Sequence, residues 1–151
     1  KNIADEFPQV AKRLKAAYEA WFTDVSSTRP DNFAPPRIII GTKHETRTVL
    51  TRQDWRHFQG RPWAGNSNGV WLLESPEAAD YELELILAKG HPAGKATITV
   101  GSVEKIVEIA ADKQRGHITT LRLPAGQMTL GVNVDFDGKV QGPHQVILTR
   151  E

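Results

Sequence analysis

The spacing of hydrophobic residues changes once along the chain, and its first part predicts a helix. From Val10 to Val25 apolar residues recur at every third or fourth position, as on one face of an α-helix. Pro8 suits the first helical turn, where its missing N–H would have no partner anyway. Pro30 cannot continue the helix. We expect this amphipathic helix to pack against another surface through a face that includes Leu14, Tyr18, Trp21, Phe22 and Val25.

After the helix the spacing falls to about two, which is typical of strands with one buried face. Residues 81–87 alternate aromatic or leucine positions with glutamates, and residues 128–136 repeat the alternation. Nine strands are predicted, at 37–41, 48–51, 70–74, 81–87, 95–101, 103–109, 117–123, 128–136 and 144–148. Turn residues separate most of them, and no crossover helix is available for a parallel sheet. The pattern predicts a mostly β fold: an antiparallel two-sheet β-sandwich, jelly-roll-like, preceded by one N-terminal amphipathic α-helix.

Three segments follow from this pattern. We expect residues 1–28 to form a helical lead-in, residues 29–36 a linker rich in proline, and residues 37–151 the β-sandwich. The chain begins at Lys1 rather than methionine, so we expect it to be part of a longer protein. No apolar run has the length needed to span a bilayer, and we predict no membrane partner.

Charge and cysteine content narrow the functional classes. The net charge is +1, which gives no global field for nucleic acid. No cysteine is present, so thiol nucleophiles and thiolate metal sites are excluded. Cations do accumulate between residues 43 and 61, and we interpret them as solvated side chains, with an anionic ligand as the alternative. They are Lys43, Arg47, Arg52, Arg56 and Arg61.

No constellation of catalytic residues is visible, so we predict that this chain is not an enzyme. The five histidines are isolated from one another, and surface positions are the favoured interpretation. Glu82 and Glu84 alternate with leucines on one strand, which indicates the solvated face of a sheet rather than an acid–base pair. Nucleophile-elbow and phosphate-loop motifs are absent from the sequence.

The acidic tract at residues 135–138 resembles the start of a calcium loop. It reads Asp-Phe-Asp-Gly, but the closing glutamate and the two helices of that motif are missing. Asp137 and Gly138 after an alternating strand favour a hairpin turn. We predict no cofactor, although a calcium site built on backbone carbonyls stays open.

Tryptophan positions give the one candidate binding site. We expect Trp55 and Trp71 in the core and Trp21 in a core or an interface. Trp63 lies among turn residues, with Arg61, Asn66 and Asn68 beside it. Aromatic faces stack on sugar rings while polar groups bind the hydroxyls, so these four residues are the predicted glycan-binding residues. The alternative is that Trp63 closes the end of the sandwich.

Two stretches resemble the C-terminal region of bacterial arylsulfatases of the formylglycine class. The first reads Asn-Ile-Ala-Asp-Glu-Phe-Pro-Gln-Val from residue 2, and the second Leu-Thr-Arg-Gln-Asp-Trp from residue 50. The segments Val70–Trp71 and residues 80–83 and 95–101 are also similar to carbohydrate-binding-module sandwiches. The sulfatase nucleophile motif, Cys or Ser followed by x-Pro-x-Arg, is absent.

The resemblance therefore implies a non-catalytic accessory domain of a sulfuric ester hydrolase. Its partner would be the catalytic sulfatase domain of the same parent chain, which it would support structurally. The alternative is a carbohydrate-binding module that targets the parent enzyme to sulfated oligosaccharides. The family also implies a secreted or periplasmic location.

Overall fold

The computed structural model describes residues 2–27, 35–59 and 64–151. These residues divide into two compact units, Lys1–Pro35 and Pro36–Glu151. The predicted linker at 29–36 falls almost entirely outside the described residues.

The described residues of the first unit contain one helix, α1 (Pro8–Ser26), with proline in its first turn as predicted. A turn precedes it, in which the backbone N–H groups of Glu6 and Phe7 donate to the carbonyl oxygen of Ile3. At its end the hydroxyl of Ser27 donates to the carbonyl oxygen of Asp24, 2.7 Å away. The helix buries none of its residues, and Trp21 is 57% exposed, so the position predicted for it in a core or an interface stays a prediction.

The second unit is a β-sandwich of eleven strands in the described residues, which confirms the predicted fold class. The strands are β1 (Ile38–Ile39), β2 (Arg47–Thr51), β3 (Arg56–Gln59), β4 (Asn68–Ser75), β5 (Ala79–Ile86), β6 (Gly94–Val100), β7 (Val103–Ile109), β8 (His117–Leu123), β9 (Gly126–Phe136), β10 (Lys139–Gln141) and β11 (Gln145–Arg150). One sheet has the order β1-β4-β9-β6-β7, with β10 added to β9 and β3 to β4. The other has the order β2-β11-β5-β8.

Alternation along the strands builds the core between the two sheets. In β5 the side chains of Tyr81, Leu83 and Leu85 are fully buried, while Glu82 between them is exposed. The predicted solvated face is confirmed at Glu82. Glu84 on the same face is half-covered by Arg115, whose guanidinium donates to both carboxylate oxygens at 3.3 and 3.1 Å.

Three details differ from the strand prediction. Strand β3 lies in a segment without clean periodicity, and its register against β4 shifts between His57 and Gln59. Strand β10 has only three residues, too few to show an alternation. Strand β1 runs parallel to β4 at a sheet edge and is shorter than the predicted strand at 37–41. Ile40 is fully buried as predicted, but Ile39 is 62% exposed, so the predicted burial is wrong at that residue.

Candidate functional site: the loop end of the sandwich

Six connections meet at one end of the sandwich, which we call the loop end. In the four-stranded sheet Gln145 pairs with both Thr51 and Ile86, so β2 and β5 end where β11 begins. In the other sheet Asp135, near the end of β9, pairs with Lys95 and Val140. The described residues of these connections are 52–55, 64–67, 87–93, 110–116, 137–138 and 142–144.

Arg52 organises this end of the molecule. Its side chain is only 7% exposed, and its guanidinium binds two different loops. Nε donates to the carbonyl oxygen of Pro143 at 3.0 Å and Nη2 to that of Gly142 at 2.7 Å. Nη1 donates to the carbonyl oxygen of Ala64 at 2.8 Å. One buried cation therefore fixes the connection before β4 against the connection before β11.

Two tryptophans form the apolar base beneath this arginine. The guanidinium carbon lies 5.3 Å from the centre of the Trp55 ring, within range of a cation–π contact. The Trp55 and Trp71 rings are 5.5 Å apart and tilted by 43°, and Trp71 Nε1 donates to the carbonyl oxygen of Thr51 at 2.8 Å. Both rings are buried, at 6% and 0% exposed, which confirms their predicted core positions.

Gly142 is where the last loop passes over the Trp55 ring. Its N–H donates to the carbonyl oxygen of Ser67 at 2.9 Å, which brings the backbone against the indole. A Cβ at this position would overlap the six-membered ring of Trp55. Glycine is therefore needed here because of the close approach.

An open pocket of about 320 Å³ lies beside Arg52, lined by Thr51, Arg52, His144 and Gln145. Arginine carries five N–H donors, and three of those on Arg52 are used by the carbonyls named above. Within the described part of the chain no carboxylate forms an ion pair with it. Burial lowers the pKa of Arg52 from its ordinary value. Even so, arginine stays protonated in proteins, so the pocket has a positive wall.

His144 is the titratable group of this pocket. Partial desolvation, followed by the nearby charge of Arg52, holds the pKa of the imidazole below its ordinary value. His144 itself is exposed to solvent. A negative group bound in the pocket would oppose the effect of the Arg52 charge and raise the pKa of His144.

A second pocket at the loop end, of about 360 Å³, is lined by residues of the β5–β6 loop and of the β9–β10 hairpin. The buried His91 underlies it, 6% exposed and stacked on Phe136 with 5.1 Å between ring centres. Its Nδ1 lies 2.8 Å from the carbonyl oxygen of Pro92 and its Nε2 lies 3.2 Å from that of Lys113. The predicted surface position of this histidine is wrong, because the ring joins two loops.

The acidic tract forms a hairpin turn, as predicted. Asp137 and Gly138 both have positive φ, 54° and 83°, as in a type I′ turn, and they join Phe136 to Lys139. The Gly138 N–H donates to Asp135 Oδ1 at 2.7 Å. In the described ranges no three acidic or histidine side chains come together as a metal-binding group.

The structure describes two of the four predicted glycan-binding residues. Asn66 is exposed in the loop that Arg52 holds. Asn68 begins β4, is half-buried, and donates from Nδ2 to Asn133 Oδ1 at 3.3 Å, while its own Oδ1 is buried. Trp63 and Arg61 lie outside the described residues, so a site combining all four stays a prediction.

The predicted solvated cations divide into two groups. Lys43, Arg47 and Arg56 are exposed as expected, but Arg52 is buried, and its placement as a surface cation is wrong. A signal for its position did exist in the sequence. Thr48 and Leu50 of β2 are buried, and continuing the alternation by two residues brings Arg52 to the same inward face.

The comparisons with known proteins bear on the fold. A family 35 carbohydrate-binding module from Cellvibrio japonicus is similar with a TM-score of 0.53 and 10% identity, over 68% of this chain and 92% of that chain. One from Clostridium thermocellum gives 0.52 and 12%, over 69% and 98%. A β-(1,4)-mannanase from Podospora anserina that carries such a module gives 0.53 and 15%, over 70% of this chain but only 28% of that chain.

The chain therefore has the β-sandwich fold seen in carbohydrate-binding modules of family 35. No protein-family model matches the chain, and no curated protein is similar to it in sequence. Nothing in these comparisons points to a sulfatase. In the described part of the chain, no helix has the length and apolar composition needed to cross a bilayer.

Proposed function

We propose that this chain is a carbohydrate-binding module whose ligand is a saccharide carrying a carboxylate or sulfate group. The negative group binds in the pocket between Arg52 and His144 at the loop end. The observation that carries the proposal is the buried guanidinium of Arg52, which has unused N–H donors and no carboxylate partner among the described residues.

The chemistry of this pocket suits an acidic sugar better than a neutral one. Guanidinium groups bind carboxylates and sulfates through paired N–H donors. The carbonyls bound to Arg52 hold its plane in one orientation, so little entropy is lost when a ligand binds. The volume of about 320 Å³ is at the lower end of small-ligand sites and suits one sugar unit of a chain that continues into solvent.

The loop that Arg52 holds adds the apolar part of the proposed site. Ala64 is bound directly to Arg52, and Asn66 two residues later is exposed. The preceding residues include Trp63 and Arg61, which we propose as the stacking ring and a second cation. One similar structure, with a TM-score of 0.51 and 12% identity, is a family 35 module in complex with a disaccharide containing glucuronic acid, which supports an acidic ligand.

The test is calorimetric titration of the protein with a disaccharide containing glucuronic acid, with its methyl ester, and with a sulfated oligosaccharide. We expect the acid to bind several-fold more tightly than the uncharged ester, and increasing salt to weaken its binding. The sulfated ligand shows whether the site accepts both kinds of anion. Equal affinity for the acid and the ester would contradict an anion-binding pocket.

Two variants locate the site. His144→Gln should abolish the rise in affinity for the acidic ligand as the pH falls through the pKa of His144. His44→Gln is the matched control, because His44 is exposed in the β1–β2 connection at the other end of the sandwich. Trp63→Ala should abolish ligand-induced quenching of tryptophan fluorescence. Unchanged binding in both Trp63→Ala and His144→Gln would place the ligand elsewhere.

The sulfatase parentage predicted from the sequence stays a prediction. A module of this fold can serve in a longer enzyme either by binding glycan or by supporting a catalytic domain. Binding to none of the three saccharides would leave the supporting role as the better hypothesis.

A further inference from the structure

The apolar face of α1 lies exposed over its whole length. Leu14, Tyr18 and Trp21 are each between 57% and 60% exposed, and Phe7 is 54% exposed. Their spacing places them along one side of the helix. Contiguous apolar surface of this kind marks a site of association.

The two halves of this face differ in shape. At the N-terminal half, an apolar groove of about 460 Å³ runs between the turn before the helix and the helix itself, with Ile3, Phe7, Val10 and Leu14 in its walls. At the C-terminal half the rings of Tyr18, Trp21 and Phe22 form a projecting cluster. Tyr18 lies 5.8 Å from Trp21 and 6.1 Å from Phe22, measured between ring centres.

One flank of the apolar face carries a positive residue near its N-terminal end and a negative residue near its C-terminal end. Arg13 and Asp24 both stand about a quarter turn from the apolar stripe, on the same side of the helix. Neither forms an ion pair in the described part of the chain. On the other flank Lys15 already forms an ion pair within the helix, with its Nζ 3.7 Å from Glu19 Oε1. An antiparallel copy of the helix would bring Asp24 opposite Arg13 twice.

We infer that α1 pairs antiparallel with α1 of a second copy of this chain. Trp21 of each copy packs against Leu14 at the end of the other copy's groove, so the same contact forms twice about a two-fold axis. Leu14 of one copy then lies opposite Trp21 of the other, Val10 opposite Val25, and Ala17 close to the axis opposite Tyr18.

The surface available is of the size that such a pair needs. A fully covered aromatic side chain buries about 150–250 Å². The exposed parts of the rings and of the aliphatic residues beside them therefore amount to on the order of 600 Å² per copy. This approaches the roughly 800 Å² per partner of a stable complex. We accordingly expect a reversible dimer whose population depends on concentration.

Sedimentation equilibrium of the whole chain over a series of concentrations tests the association. We expect the mass to rise from 16.8 kDa toward twice that value. Trp21→Asp should weaken dimerisation by at least tenfold, and Ala16→Asp, on the opposite side of the helix, should leave it unchanged. Circular dichroism of each variant verifies that the helix is retained. A monomer at every concentration, or a dimer indifferent to Trp21→Asp, would overturn the inference.

Two further variants test the second copy and its direction without removing apolar surface. Asp24→Arg should weaken the dimer, and the double variant Arg13→Asp with Asp24→Arg should restore it. Because the chain has no cysteine, a single introduced cysteine reports proximity unambiguously. Ala17→Cys should cross-link to itself, and Val10→Cys should not. Efficient self-cross-linking at both positions would mean parallel helices and would refute the arrangement.

Discussion

Replacing Arg52 by methionine tests the central structural claim about the loop end. Methionine keeps much of the volume and flexibility of the side chain and removes the guanidinium. The carbonyl oxygens of Gly142, Pro143 and Ala64 then lose their donor. The two loops that meet here are connected through this side chain, so the loss affects the stability of the whole sandwich.

The magnitude follows from the contacts. Each hydrogen bond contributes about 1 kcal/mol net, and charged donors contribute somewhat more, so three give about 3 kcal/mol. The contact over Trp55, 5.3 Å from the ring centre, adds about 0.5–1 kcal/mol. Relief from holding a charge in a buried position offsets part of this. We expect Arg52→Met to lower the free energy of unfolding by about 3 kcal/mol.

Urea unfolding followed by tryptophan fluorescence measures this change in the free energy of unfolding, because Trp55 and Trp71 lie at the loop end. The midpoint should fall with little change in slope. Arg56→Met is the matched control: Arg56 begins the next strand and is exposed, so we expect a change within about 0.5 kcal/mol. Equal stabilities of the Arg52→Met and Arg56→Met proteins would refute the assigned role of Arg52.

Three other predictions concern packing and pH. Gly142→Ala should lower the free energy of unfolding, measured by scanning calorimetry, by about 1–3 kcal/mol, because the added methyl group overlaps Trp55. The control is Gly65→Ala in the neighbouring loop, where a methyl group meets no atom within 4 Å, so its stability should be unchanged. The pKa of His144 is lowered in the folded protein, so protonation of this residue favours the unfolded state. The free energy of unfolding should therefore fall as the pH drops below the ordinary histidine pKa of about 6.5. His144→Gln should abolish that part of the pH dependence. The pKa of Glu84 is lowered chiefly by the hydrogen bond from Arg115. The carboxylate therefore stabilises the fold above its unfolded pKa, and this stability is lost as the pH falls through the folded pKa. Glu84→Gln should reduce the dependence of the free energy of unfolding on pH in the acid range.

Local rules predicted the elements with a clear periodic pattern. The helix begins at Pro8 and ends at Ser26, close to the expected positions, because proline placement and apolar spacing act within a few residues. The long strands β5 and β9 follow their alternation. Strands β3 and β10 escaped prediction because short pairings depend on a neighbouring strand rather than on their own pattern.

The polar contacts of the loop end were predicted less well than the fold. Arg52 was placed among solvated cations because arginine is mostly exposed in proteins. Its burial depends on carbonyl oxygens from Ala64, Gly142 and Pro143, which are far away in sequence. Asn66 does lie in the loop that Arg52 holds, but Asn68 belongs to the sheet and binds Asn133. Asn66 lies in the turn two residues before β4, whereas Asn68 is the first residue of that strand.

The sequence by itself determined the class of the fold, the helix and the core positions of Trp55 and Trp71, because periodicity and burial of large apolar groups are local consequences of residue type. Only the tertiary structure decided which polar groups meet. The joining of two loops by Arg52, the passage of Gly142 over an indole, and the contact of His91 with the carbonyl oxygen of Lys113 all unite residues separated along the chain. Such contacts form because a buried polar group must find a partner wherever the fold supplies one.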